Sequence, residues 1–308
     1  SPPGAWRLAA LLAARYAGPA RSCPRDHNDA TALARSAAAP CPPAPLFLHP
    51  SAVPAGGALM PAAPVLPTPA QALAIAQALL SSRYDGAAFG FAAGSILRGE
   101  GTHLSDIDLV VVYERLPAAR RESFLADGVP VEAFVHDPGT LTWFLDDDVA
   151  RGRPSLLHMI AEGCIVGTAS EPARTLQGQI AARLQAGPPP LSPAQVDALR
   201  YQITDLIDDL CGERSAAEIV AIGAVLHPLL TELALRGRGR WSGSGKWAPR
   251  LLARIDPALG QRFEHAFAAL FASADCAPVL ALAQRELAAH GGRLFDGDRR
   301  TAPADWRA

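Results

Sequence analysis

The sequence predicts an α/β protein of the α+β kind, in which a small mixed β-sheet with flanking helices precedes an all-helical domain. Short apolar runs alternate with helical patterns between residues 68 and 166, which is typical of a sheet with helices around it. A run of glycine and three prolines at residues 187–190 then interrupts the chain, and only helical periods follow it.

The segment before residue 68 differs from the rest of the chain. Of the 28 prolines, 14 precede Ala70, and no helical or strand period is sustained there. We predict a disordered leader over residues 1–67. Because Met60 immediately precedes the first patterned segment, we expect Met60 to be the biological start, with a genuine disordered tail as the alternative. The sheet-bearing domain is then 68–187 and the helical domain 188–308.

The first ordered element is a helix that begins after Thr68. Thr68 and Gln71 are spaced as a capping box, and Pro69 takes the first helical position. Helices of the second domain open with similar signals at Ser192, Ser215 and Asp256, and the last helix is expected at 279–289. Strands are predicted from apolar runs bounded by turn residues, at 87–93, 107–113, 130–136 and 164–166.

Three further segments of the first domain are predicted to contain helix. Residues 94–105 are interpreted as a turn with a short helix, and 118–126 as a helix that leads through Asp127-Gly128 into the next strand. Helix returns around 147–162. The acidic run 146–148 is expected to favour a helix N-terminus, where negative charge meets the positive end of the helix dipole.

Composition excludes several classes of function. From Met60 onward there are 23 basic and 28 acidic residues, which argues against a broad nucleic-acid surface and suits a small molecule, a cationic one included. The five cysteines show no zinc or disulfide spacing. No apolar run approaches the roughly 18 residues of a membrane span. We expect a cytoplasmic protein with reduced thiols and no membrane partner.

Three acidic residues lie within apolar strands. Asp106 and Asp108 are two positions apart, so their carboxylates project from one face of a strand. Like charges at that spacing repel, and a divalent cation with a preference for hard oxygen ligands resolves the conflict. Glu132 interrupts the apolar run 129–135, where an acid needs a partner or a metal. The alternative for each is a solvated acid on an edge strand.

Gly94 and Ser95 follow an apolar strand. Glycine lets backbone N–H groups approach phosphate oxygens, and serine adds a hydroxyl donor. Arg98 could assist there or be an exposed arginine. The chain resembles the DNA polymerase β superfamily of nucleotidyltransferases in the order of these residues. Asp106-x-Asp108 begins eleven positions after Ser95 of the Gly94-Ser95 pair, and a third acid follows on a later strand. The resemblance covers residues 85–136 and is to the small bacterial branch with the aminoglycoside and lincosamide nucleotidyltransferases.

The resemblance implies transfer of a nucleoside monophosphate, with ATP as the expected NTP donor, to a hydroxyl of a small acceptor. It further implies that Asp106, Asp108 and Glu132 hold Mg²⁺, two ions in the reactive complex, by the two-metal chemistry of phosphoryl transfer. Gly94 and Ser95 would hold the β- and γ-phosphates. A homodimer is compatible with the sequence, and a nucleic-acid partner is not expected.

Lys246 is the chain's single lysine among 27 arginines. A compact ammonium suits a phosphate oxygen, so we hypothesise that Lys246 reaches the triphosphate from the helical domain; chance retention is the alternative. The surrounding Gly-Ser-Gly-Lys is not a Walker A loop, because Arg240 replaces the first glycine and Trp247 the Ser/Thr.

Other polar groups leave their roles open. One helix face carries three aspartates that could supply a general base or attract a cationic acceptor, although a solvated acidic face is the simpler interpretation. His158 and His227 are expected to be core histidines. The basic loop 236–240 could close over phosphates or be solvated. The three aspartates are Asp205, Asp208 and Asp209.

Two other functions compete with small-molecule modification. The first is nucleotidylation (AMPylation) of a protein or an RNA end, and the acidic balance weighs against the RNA version. The second is a non-catalytic nucleotide-binding or antitoxin-like module, which the retention of all three acids disfavours.

Overall fold

The computed structural model describes residues 66–301, so nearly all of the predicted leader, and the predicted start at Met60, lie outside the described residues. Within them, the chain forms a five-stranded mixed sheet and nine helices, with the helical part after the sheet, as the sequence predicted. The elements are α1 (Pro69–Ser82), β1 (Phe89–Ala93), β2 (Ile107–Val112), β3 (Arg120–Ala126), β4 (Val129–His136), α2 (Pro138–Arg151), α3 (Ser155–Glu162), β5 (Cys164–Val166), α4 (Ser170–Ala186), α5 (Pro193–Cys211), α6 (Ala216–Arg236), α7 (Trp247–Ile255), α8 (Pro257–Ser273) and α9 (Ala277–Ala288).

The sheet has the strand order β3-β4-β2-β1-β5, and β2 with β4 is its parallel pair. Alternate residues of the strands enter two different apolar clusters. Ile107 and Leu109 pack with α1 on one face, whereas Val110 and Val112 pack with α2, α3 and α4 on the other. Helix α1 therefore covers the first face, and α2, α3 and α4 cover the second face over β1 and β2.

The helical part has a separate core to which α5 to α9 all contribute. Helix α6, over Ala216–Arg236, is the one helix among the described residues that is long and apolar enough to cross a membrane. Its Leu226, Leu230 and Leu233 are fully buried in this core. The apolar character of α6 is thus accounted for in part by packing within the protein.

The helix starts read from the sequence are confirmed. The side chains of Thr68, Ser192 and Ser215 each accept a hydrogen bond from the backbone N–H three residues later. The side chain at that later position accepts a hydrogen bond from the backbone N–H of the cap residue. Asp256 caps α8 by accepting from the Ala258 N–H.

The prediction of helix over 118–126 was wrong, since this segment is strand β3. Asp127 and Gly128 adopt φ values of 50° and 79°. Two successive positive φ angles make the type I′ turn of a two-residue hairpin, which requires antiparallel strands on both sides. Ala126 accordingly pairs with Val129, and β3 runs back along β4. The Asp-Gly pair was the signal for this hairpin.

Three other predictions need correction. Residues 94–105 form turns without a helix. The helix expected around 147–162 is two helices, because Gly152 takes a left-handed φ of 66° and Pro154 follows it. The acidic run lies at the end of α2, yet Asp148 accepts from the Leu156 N–H at 2.6 Å and so caps the start of α3. Helices α4 and α7 were not predicted.

Arg236 links the two parts of the chain. Its side chain is buried, and its guanidinium donates to the carbonyl oxygens of Arg151 and Pro189, each at 3.0 Å. Arg238 is paired with buried Glu286 at 2.6 Å. Two of the three arginines in the predicted basic loop are therefore structural, which excludes them from closing over phosphates.

Gly152 lies under the Arg236 guanidinium, and a Cβ at position 152 would collide with it. We expect Gly152→Ala to lower the free energy of unfolding by about 3 kcal/mol or more, because it displaces a buried charge as well as straining a left-handed residue. Gly239 is a matched control, with a φ of 65° and open space around it.

Gly239→Ala should cost only the backbone strain, about 1 kcal/mol. Denaturant unfolding of both variants beside the wild type measures the two costs. Equal losses in the two variants would contradict the role of Arg236 as a buried link.

Candidate active site

The structure brings the three predicted acids together at one end of the sheet. Asp108 of β2 lies directly beside Glu132 of β4 in the parallel register, and beside Ala93 of β1 on its other side. Asp106 immediately precedes β2. One carboxylate oxygen from each of Asp106, Asp108 and Glu132 can be chosen so that all three lie within 4.8 Å of one another.

The burial of neighbouring residues explains this convergence. Ile107 and Val131 are register partners, and both are buried against α1 together with Leu109 and Ala133. Because side chains alternate along a strand, burying these four residues directs the acids between and beside them to the opposite face.

The acid cluster concentrates negative charge in a partly desolvated place. Burial, followed by the neighbouring charges of Asp106 and Glu132, raises the pKa of Asp108 to about 6, against the opposing charges of Arg98 and Lys246. A divalent cation between the carboxylates would remove this repulsion.

Glu132 has a protein partner that the sequence interpretation missed. Arg121, on the edge strand β3, forms an ion pair with the Glu132 carboxylate, although 64% of the arginine side chain is exposed. Exposed pairs of this kind contribute at most about 1 kcal/mol. The alternation of side chains along β3 would have revealed Arg121, had 118–126 been assigned as a strand.

Gly94 leaves room beside the aspartates. Its φ is +105°, and a Cβ there would lie 3.0 Å from Asp108 Oδ2 and 3.2 Å from the Asp106 carbonyl oxygen. Ser95 Oγ donates to Ser105 Oγ at 3.0 Å, which holds the turn. Three carboxylate oxygens within 4.8 Å of one another are hard donors of the kind that Mg²⁺ prefers, so the residues present fit this ion.

A cleft with a volume of about 790 Å³ opens beside the aspartates, between the turn after β1, helix α3 and the segment 241–254. This size suits a nucleotide-sized ligand. Every residue predicted to bind nucleotide lines it, namely Gly94, Ser95, Arg98 and Lys246, and so do Asp106 and Asp108. Glu132 does not line it. Other lining residues were not assigned to a binding site from the sequence, among them Glu100, Arg153, His158, Glu162, Trp241, Trp247, Arg250 and Arg254.

The two histidines expected in the core, His158 and His227, have different surroundings. His158 is not a core residue: it lines the cleft, and its Nδ1 lies 2.7 Å from Glu162 Oε1. His227 packs edge-to-face on Phe267 with ring centres 4.5 Å apart, and burial lowers its pKa, but the residue is only half-buried and lines a second cavity.

The acidic face of α5 is separate from the cleft, since none of its three aspartates lines it. Asp208 is paired with Arg293, and Asp209 with Arg214 at 2.6 Å. Asp205 is exposed.

No protein-family model matches the chain, and no curated protein matches it. Among solved structures, it is similar to a nucleotidyltransferase-like protein from Exiguobacterium sibiricum, with a TM-score of 0.38 and 14% sequence identity. The alignment covers 72% of this chain and 76% of that one. The function proposed below is therefore supported by the residues of the site and not by this likeness.

Asp108 gives the site a distinctive pH dependence. Its pKa is about 6 in the folded chain against an ordinary value of 3.8, so the folded state holds the proton more tightly than the unfolded state. The stability that Asp108 contributes is thus complete below pH 3.8 and is lost as the pH rises through 6. At pH 7.5 the ionised carboxylate costs the metal-free protein about 3 kcal/mol.

We expect Asp108→Asn to raise the Tm of the metal-free protein at pH 7.5 by about 5 °C, and by clearly less at pH 4.5. The pKa of buried His136 is lowered to about 4, so the wild type and the variant both lose stability as the pH falls below 6.5. The Tm values of the two proteins are therefore compared with each other at each pH. Added Mg²⁺ should raise the Tm of the wild type only. An unchanged Tm at pH 7.5 would contradict the repulsion described above.

Gly94→Ala tests the space beside the aspartates. A methyl group there would crowd Asp108 Oδ2, so we expect Mn²⁺ affinity, measured by calorimetry, to fall about tenfold. Gly99 is the matched control, because it has a φ of +74° in the same turn region with no atom near its Cβ position. Similar Mn²⁺ affinities for Gly94→Ala and Gly99→Ala would refute the crowding.

Proposed function

We propose that this protein is a metal-dependent nucleotidyltransferase that transfers a nucleoside monophosphate, AMP from ATP in the first instance, to a hydroxyl of a small molecule. The observation that carries the proposal is the convergence of Asp106, Asp108 and Glu132 beside the Gly94-Ser95 turn. We also propose the cytoplasm as the place of the reaction, since NTP donors are available there.

The three carboxylates would hold Mg²⁺, two ions in the reacting complex, which supplies positive charge for the phosphate oxygens and activates the acceptor hydroxyl. The hydroxyl would lose its proton to solvent next to Glu132, and its oxygen would attack the α-phosphorus. The bond from the α-phosphorus to the bridging oxygen breaks, and pyrophosphate leaves.

The phosphates would be held by groups on both walls of the cleft. Gly94 and Ser95 offer backbone N–H groups and a hydroxyl on one wall. Lys246, which immediately precedes α7, offers its ammonium on the other. The charges of Arg98 and Lys246 both act on Asp108, which supports their placement near the reacting phosphate.

A non-catalytic nucleotide-binding module is the second candidate. The observation in its favour is the Arg121–Glu132 ion pair, because an arginine can neutralise an acid in place of a metal. In that case the cleft would bind a nucleotide without turnover.

The decisive experiment follows pyrophosphate release and label transfer from α-labelled ATP, with Mg²⁺ and a panel of hydroxyl acceptors, proteins included. We expect Asp106→Ala and Asp108→Ala to reduce turnover by about 10³-fold, because they remove ligands that position the charge on the phosphate. Glu114→Ala, an exposed acid beyond the opposite end of β2, is the control and should keep full activity.

Undiminished turnover in either aspartate variant would refute the metal assignment. ATP binding without pyrophosphate release, across the whole panel, would favour the binding module.

A further inference from the structure

One wall of the cleft carries a row of three cations that form no ion pair among residues 66–301, although carboxylates line other parts of the cleft. Lys246, Arg250 and Arg254 follow each other at four-residue spacing, and all three line the cleft. Residues four apart lie on one face of a helix, so these cations form a row along α7. With a rise of about 1.5 Å per residue, the row extends about 12 Å from Lys246 to Arg254.

The other two cations of the cleft wall are already paired with acids. Arg98 lies 3.4 Å from Glu100 and 4.0 Å from Glu162. Arg153 lies 3.7 Å from Glu232. Between residues 66 and 301, by contrast, no carboxylate is within ion-pair distance of any member of the α7 row.

The members of the row differ in their distance from the acid cluster. Lys246 is among the cations whose charge acts most strongly on Asp108, and the two arginines are not. Arg250 is further placed by the Trp247 ring, whose centre is 5.3 Å from its guanidinium. Lys246 therefore suits the donor phosphates, and Arg254 lies more than two helical turns beyond it.

We propose that Arg250 and Arg254 bind an anionic group of the acceptor, so that the acceptor is a phosphorylated or carboxylated hydroxyl compound and not a cationic one. Guanidinium groups present paired N–H donors that match the oxygens of phosphate and carboxylate. A polycationic acceptor would be repelled by these two arginines, which form no ion pair among residues 66–301. This inference rests on the proposed function, because it concerns the second substrate of the same site.

The test uses the full chain saturated with Mg²⁺ and the unreactive donor analogue α,β-methylene-ATP. Calorimetric titration then compares glucose 6-phosphate and inorganic phosphate with glucose and kanamycin. We expect both anions to bind, and glucose and kanamycin not to bind. In Arg254→Gln the affinity for both anions should fall about tenfold, the loss of one charge-assisted hydrogen bond.

The matched control is Arg285→Gln, which removes an exposed arginine of α9 outside the cleft and should leave anion affinity unchanged. Donor binding separates the two proposals: α,β-methylene-ATP should bind Arg254→Gln within twofold of the wild type and bind Lys246→Gln about tenfold more weakly.

The inference is overturned if the saturated protein binds neither anion, if kanamycin binds in preference, or if Arg254→Gln weakens donor binding as much as Lys246→Gln does. Failure of the wild type to bind the donor analogue would count against the proposed function itself. Anion binding that depends on Arg254 in the absence of the analogue would still support an anion site on α7.

Discussion

The parallel register of β2 with β4 is the constraint on which the site depends. It sets Asp108 beside Glu132, and the burial of Ile107 and Val131 on the other face prevents either acid from turning away. Several surrounding features compensate for the resulting negative charge. Arg121 pairs with Glu132 from the edge strand, and the charges of Arg98 and Lys246 reach Asp108 from the cleft.

Sequence reasoning worked where structure is determined locally. A capping box is complete within four residues, so Thr68 and Ser192 could be assigned from the sequence alone. The aspartate pair was recognisable for the same reason, because side chains two positions apart on a strand project from the same face of the sheet. Glu132 required one further step, that its strand adjoins β2, and this step came from the resemblance to the nucleotidyltransferase pattern, because the apolar run around Glu132 predicted only a strand.

The remaining features depend on contacts between distant segments. His158 lies on an apolar helix, and its sequence neighbours could not show that its face of α3 borders the cleft. Arg250 and Arg254 belong to a short helix that was not predicted. Arg121 was not predicted as a partner of Glu132 because the composition of residues 118–126 resembled that of a helix. The turn at Asp127 and Gly128 instead makes this segment a strand. Local propensity was overridden there by strand pairing.

The link made by Arg236 has a consequence for how the cleft responds to its surroundings. The helical wall is attached to the sheet partly through donors that reach main-chain oxygens, and Trp241 repeats the arrangement by donating to the Leu184 carbonyl at 2.8 Å. Carbonyl oxygens do not titrate, and a guanidinium stays protonated at any physiological pH. The aperture of the cleft should therefore hold its width through acidification that alters the ionisation of Asp108 within it.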